Sequence, residues 1–272
     1  MGDICINRSF GIITSNQGET LLIIFGVDCA TETKNIGFSI YDYSRKAFVG
    51  CRKEASIEET ILHYIERFGG QQILLCFDAP LGWPDDFAPV LYRHMAGDYL
   101  GNTPDAFFKR DTDIFCAYLL RKIPLEIASD KIARTAYKTL QIIESIRTSY
   151  PHIQIRWDPA ERVQLGFIEV YPAAWLLSEL ISPNISRDKK TISYKGTKPE
   201  NKRRRMEIIR EMRKKGIRFT GFYKKMIEEE HFFDACLCCL CGKDFLDQRA
   251  IRPFPDLTSV FKEGWIWMKP TI

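Results

Sequence analysis

The chain of 272 residues lacks any apolar run of the ~18 to 20 residues needed to span a bilayer; the longest near its start, Leu21 to Val27, stops at Asp28. The expectation is a soluble, cytoplasmic protein with no membrane partner. Neither GxxxxGK[ST] nor GxGxxG occurs, so the phosphates of a nucleotide ligand would need another cradle. A GxSxG elbow is missing, and the four histidines (His63, His94, His152, His231) form no HExxH pair, which disfavours serine-hydrolase chemistry. There is no internal repeat. Residues 1–20 lack the basic start, long apolar middle and small-residue cleavage site of a secretory signal, and Ile6 stands where myristoylation would want Ser or Thr. They are expected to form a loose extension ahead of a single domain, 21–272.

What is present is an ordinary globular composition, 45% apolar and 27% charged, which excludes collagen-like, low-complexity and wholly disordered chains. Nine cysteines, an odd number, fall mostly inside apolar runs, where reduced thiols act as small hydrophobes. The cluster Cys236, Cys238, Cys239 and Cys241 lies in one continuous helical pattern. Structural zinc sites draw paired ligands from loops and turns, so packing is the favoured reading of these thiols.

The net charge of +4 is unevenly spread. Arg187 to Lys225 holds sixteen Lys or Arg against four acids, leaving the remainder of the chain acidic. Such a segment, expected to be helical, suits a polyanion-binding patch, with Lys202 and Arg203 as candidate contacts to a nucleic-acid backbone. A solvated helix face gives the same pattern.

Leu21 to Val27, Gly37 to Tyr43 and Ala47 to Arg52 read as a three-stranded meander, the first strand buried on both faces. Ser56 caps a helix with Glu58 and Glu59 in its first turn and Gly69 and Gly70 at its end. The buried strand Gln72 to Phe77 stops at Asp78. Trp83 to Tyr150 reads as a helical insertion, with helices over Ile114 to Lys122 and Ala128 to Arg147. A third acid-bearing strand, Gly166 to Val170, carries Glu169, and a helix resumes at Ala173. Asp234 sits inside the apolar helix His231 to Leu246, and Gly264 to Met268 alternates as a terminal strand would.

Carboxylates at the margins of such apolar segments need partners. In sheets with parallel strands, ligands sit beyond the carboxyl ends, and pairing 21–27 with 72–77 brings Asp28 and Asp78 together there. A helix packed on the sheet adds Asp234. Oxygen donors without His or thiolate select hard cations, and two Mg²⁺ or Mn²⁺ ions ~3.5 to 4 Å apart would serve phosphodiester hydrolysis. Each acid taken alone also reads as a turn cap or ion-pair partner. His231, one turn before Asp234, is a candidate proton carrier or a satisfied histidine.

The ordered elements GVDCAT, LLCFDAPLGWP, KRDTD, EVYPAAW, YK, HFFDACLCCLCG and EGWIWMKP resemble the prokaryotic family called domain of unknown function 429, predicted nucleases of the ribonuclease H fold. The resemblance runs from about Phe25 to Pro270. It implies an α/β fold with a mixed five-stranded sheet, three-stranded antiparallel meander plus parallel strands, flanked by helices and carrying a helical insertion after the fourth strand. It further implies Asp28, Asp78 and Asp234 as metal ligands, Glu169 as a fourth catalytic acid, and Arg110, Asp113 and Lys195 as phosphate-facing or network residues. Cysteines after Asp234 replace the Ala and aliphatics of similar sequences. Two other functions remain open from the residues: a phosphotransferase or nucleotide-binding enzyme of actin-like fold, and a non-catalytic nucleic-acid-binding module.

Overall fold

One sheet of seven strands organises the described residues, in the order β5-β6-β4-β1-β2-β3-β7. The computed structural model describes residues 21–52, 56–101, 103–120, 124–128, 130–162, 164–180, 193–219 and 221–270. The expected extension 1–20 and residues 187–192 of the basic segment lie outside them.

The meander is β1 (Leu22–Asp28), β2 (Gly37–Asp42) and β3 (Ala47–Arg52), paired antiparallel. Helix α1 (Ile57–Arg67) starts where Ser56 Oγ accepts the Glu59 N–H at 3.2 Å, and carries the chain to β4 (Gln72–Phe77), which pairs parallel with β1. Next come α2 (Phe87–Arg93), α3 (Pro104–Phe108), α4 (Asp111–Leu120) and α5 (Asp130–Ser149). Strands β5 (Gln154–Ile155) and β6 (Leu165–Glu169) follow, β6 parallel to β4. The remainder is α6 (Pro172–Leu180), α7 (Pro199–Lys214), β7 (Arg218–Phe219), α8 (Tyr223–Glu228), α9 (Glu230–Leu246) and α10 (Val260–Glu263).

The continuous apolar runs of β1 and β4 follow from cover on both faces. Ile23, Phe25, Val27, Leu75 and Phe77 face α1 and α5, where Phe25 meets Phe38 edge-on at 5.4 Å between ring centres. Ile24, Leu74 and Cys76 face the other side and α9. Thirteen of the seventeen residues of α9 are buried, because the sheet covers one side and α6 and α8 the other. Each fully buried Leu or Phe contributes about 1.5 to 3 kcal/mol, so Phe232, Phe233, Leu237, Leu240 and Phe245 fix this helix against the sheet.

The approach is close. A Cβ on Gly26 would collide with the Ala235 carbonyl oxygen, and one on Gly37 with that of His231. Small side chains are therefore needed along this seam, which accounts for the cysteines. Cys238 Sγ donates to Val27 O at 3.6 Å and Cys239 Sγ to Ser39 O at 3.5 Å. The seven cysteines whose side chains are described are free thiols.

Four expectations change. The sheet has seven strands rather than five, because β5 and β7 are two-residue edge strands too short to leave a sequence pattern. Gly264 to Met268 is a single bridge, Ile266 to Glu169, since β5 already occupies the earlier part of that edge of β6 at Gly166 and Phe167. Helix α5, assigned from sequence to the insertion, buries Ile142, Ile143 and Ile146 against α1 and the sheet, so the part of 83–150 outside the main layers is α2 to α4. Among its described residues the basic segment is a loop over 193–198, then α7, β7 and the start of α8, rather than helix throughout. No helix among the described residues is long and apolar enough to cross a membrane.

Candidate active site

Strand parity decides which acids meet. Asp78 N donates to Val27 O at 3.0 Å, so the two parallel strands end in adjacent aspartates at their carboxyl edge. Successive side chains alternate faces, and Ile24 and Gly26 in β1, like Leu74 and Cys76 in β4, face α9. Asp28 and Asp78 continue those rows. From the second turn of α9, Asp234 reaches the same face, being 2% exposed.

Each acid of this trio has a distinct environment. Asp28, 7% exposed, bonds His231 Nδ1 through Oδ2 at 2.8 Å. Burial pushes its carboxyl up to about 6, against the pull of the His231 hydrogen bond and with the charge of Asp234 adding to the rise. Asp78 is raised well above the usual carboxylate range, by burial first and then by the Asp28 charge. Asp234 has a partner on each oxygen: the Tyr194 hydroxyl donates to Oδ1 at 2.7 Å, and Lys195 Nζ pairs with Oδ2 at 2.8 Å. Burial works against the Lys195 ammonium, but Asp234, Asp78 and Asp28 together hold its pKa above the ordinary value. The lysine is therefore a fixed positive charge.

The loop that carries Lys195 is built by residues the sequence reading passed over. Arg205, 0% exposed, donates Nε to Ile227 O at 2.8 Å and Nη1 to the carbonyls of Tyr194 and Gly196. Gly196 N donates to Glu230, and Asn201 Nδ2 to Ser193 O at 3.3 Å. Within a run of basic residues nothing marks Arg205 as buried except its i, i+3, i+4, i+7 relation to Ile208, Ile209 and Met212, which share its helix face.

Glu169 arrives at the same sheet edge with the opposite parity. Leu165 and Phe167 face α1 and α5, and Glu169 continues that row away from Asp234. Its two oxygens receive Arg110 Nη1 at 2.9 Å and Nη2 at 2.8 Å, and Leu81 N donates to Oε2 at 3.0 Å. Asp113 takes the other edge of the same guanidinium through Oδ1 and Oδ2. Arg110 also donates to Glu263 O at 3.0 Å, while Glu263 accepts the N–H groups of Asp85 and Asp111. Gly264 (φ 86°) passes so close that a Cβ would press on Glu169 Oε2. The RDTD, DAPLG and EGW elements thus form one buried ion-pair knot that fixes the turn after Asp78.

Of the basic candidates, Lys202 pairs with Glu228 and Arg203 is exposed on α7. Much of the remaining charge there is matched: Arg204 with Glu207, Lys214 with Glu211, Lys215 with Glu179. Arg203, Arg210 and Arg213 on α7 have no acid partner among the described ion pairs, so the segment keeps a positive excess.

Hard oxygen donors at Asp28 and Asp78 suit Mg²⁺ or Mn²⁺. Burial pushes the neighbouring thiols Cys29 and Cys238 up, away from the thiolate form. Among the described residues no group of three or more His, Cys, Asp or Glu is gathered as a metal-holding cluster. Asp234 faces Lys195, Glu169 faces Arg110 and Asp28 bonds only the His231 ring, which leaves Asp78, beside Asp28, as the least compensated of the four.

Fold and site together define a mixed α/β protein with an acidic centre at the carboxyl edge of its sheet. The chain belongs to the family described as Protein of unknown function (DUF429), which matches residues 26–258. No curated protein and no solved structure matches it.

Proposed function

We propose that this protein is a Mg²⁺- or Mn²⁺-dependent nuclease of ribonuclease H-like fold, hydrolysing phosphodiester bonds at Asp28, Asp78 and Asp234. The observation that carries this reading is the shared face of three acids from β1, β4 and α9, two of them held above their ordinary pKa by burial and mutual charge. The central strand run β3-β2-β1-β4-β6, antiparallel then parallel, supports the fold assignment, with β5 and β7 as additions.

Asp28 and Asp78 would hold the ion, with His231 orienting Asp28. When bound, the ion supplies an activated water and stabilises the oxygen that leaves phosphorus. The Arg110 knot positions the turn after Asp78, and Lys195 presents a fixed cation to a phosphate oxygen. The exposed Arg203 would contribute to holding the nucleic-acid backbone.

The test is incubation of the purified chain with single-stranded, duplex, hybrid and branched DNA and RNA in Mg²⁺ or Mn²⁺. Cleavage of at least one substrate is expected, and its loss in Asp28→Asn and Asp78→Asn. Intact substrates throughout overturn the reading; stabilisation by nucleotides without cleavage would favour a phosphotransferase.

A further inference from the structure

Asp234 is the acid from which a second metal ion would need oxygens. Each already has a partner: Oδ1 accepts the Tyr194 hydroxyl and Oδ2 holds the Lys195 ammonium, so a cation stands where a second ion would approach. The contact is not a loose surface pair, because Asp234 is 2% exposed and the backbone on both sides of Lys195 is tied down by the buried Arg205 guanidinium. The lysine side chain itself is 58% exposed, open to a ligand on its outer side, and its charge is felt by Asp28 and Asp78 as well as Asp234.

Charge balance points the same way. Three carboxylates and one ammonium leave an excess of two negative charges, which one divalent ion cancels and a second would overshoot. From these contacts we infer that the site takes one divalent cation, between Asp28 and Asp78, and that the Lys195 ammonium, held by Asp234 and Tyr194, occupies the place of the second cation facing the phosphate. The inference rests on the metal-dependent reading and replaces the two-ion arrangement expected from sequence. Asp234 is then a positioning residue for Lys195.

Mn²⁺ binding to the metal-stripped full chain, followed by calorimetry and by electron paramagnetic resonance of the free ion, reads this directly. Wild type should bind one Mn²⁺ per chain, and so should Lys195→Arg, which keeps the cation. Lys195→Gln releases Asp234 and should bind two, with cleavage reduced about 10²-fold. A folded state is verified for each variant by its thermal transition. Two Mn²⁺ in the wild type overturn this inference and leave the nuclease reading standing. One Mn²⁺ in Lys195→Gln at unchanged affinity overturns it too. No Mn²⁺ bound by the wild type overturns both.

Discussion

Arg110 is 1% exposed and divides its guanidinium between Glu169, 2% exposed, and Asp113, 3% exposed. Arg110→Met keeps much of the volume and removes the only cation paired with either acid among the described contacts. Breaking a buried pair from one side costs about 3 to 5 kcal/mol, since the stranded carboxylate retains its desolvation. For a domain of this size each kcal/mol moves Tm by about 2 to 4 °C, so a fall of ~6 to 20 °C is expected near pH 8. The sign with pH follows from Glu169. Burial already holds its carboxyl above the ordinary range, against the pull of Arg110, and loss of the arginine raises it further. A carboxyl raised in the folded state contributes full stability below its unfolded pKa of about 4 and loses it as pH rises through the folded value. The deficit of Arg110→Met should therefore be small near pH 4 and complete near pH 8. Melting curves over that range measure it, alongside the double variant Arg110→Met, Glu169→Gln, which should recover the part of the loss that Glu169 carries while Asp113 stays unpaired. A deficit independent of pH, or a double variant no better than the single, would show that packing rather than charge holds this knot, and the reasoning would fail.

Asp28 titrates from the same side. Its rise from 3.8 to about 6 corresponds to about 3 kcal/mol of destabilisation once ionised, an upper bound because the His231 bond is shared with Asn. With chelator present, Asp28→Asn should melt several degrees higher than wild type near pH 8 and at the same temperature near pH 4; a lower melting point near pH 8 refutes the assignment. Gly26→Ala forces α9 off the sheet, because the Ala235 carbonyl cannot retreat without moving the helix, and should cost at least about 1 to 3 kcal/mol. Gly70→Ala (φ 81°), with open space around it, carries backbone strain alone and should cost about 1 kcal/mol in the same denaturation assay.

The three long parallel strands were legible because burial on both faces leaves an unbroken apolar run, and the aspartates that end two of them were legible as the points where the runs stop. Face parity was not, since it depends on which residue of β6 pairs with Phe77 of β4, and that register placed Glu169 opposite the trio. Its partner Arg110 lies 59 residues away, a separation no local pattern reports. Tyr194 and Lys195 were visible as a motif, whereas the arginine that pins them looked like one more charge in a basic run. Helix α5 shows the converse: its amphipathic stripe was plain, but a stripe does not say whether its partner is the main sheet or a lid.

Turn caps and metal-facing acids make opposite electrostatic demands, and this chain contains both. Asp158 accepts the Ala160 N–H at 2.9 Å in an exposed turn, and that bond first, with Arg252, holds its carboxyl below the ordinary value. Capping stabilises the ionised form, so a capping aspartate adds to stability at neutral pH. Asp28 and Asp78 are shifted the other way, by burial first, then by the charge of Asp234 at Asp28 and of Asp28 at Asp78, and their ionisation opposes folding. A Ser or Asn at either strand end would serve a turn without that cost. The cost becomes a gain only when a cation enters, since the desolvation and repulsion that raise the two carboxyls then raise affinity for positive charge. Among the acids at this edge of the sheet, Glu169 has its arginine, Asp234 its lysine and Asp28 the His231 ring, so the unmet demand for charge is greatest at Asp78 and next at Asp28, whose burial outweighs that one bond.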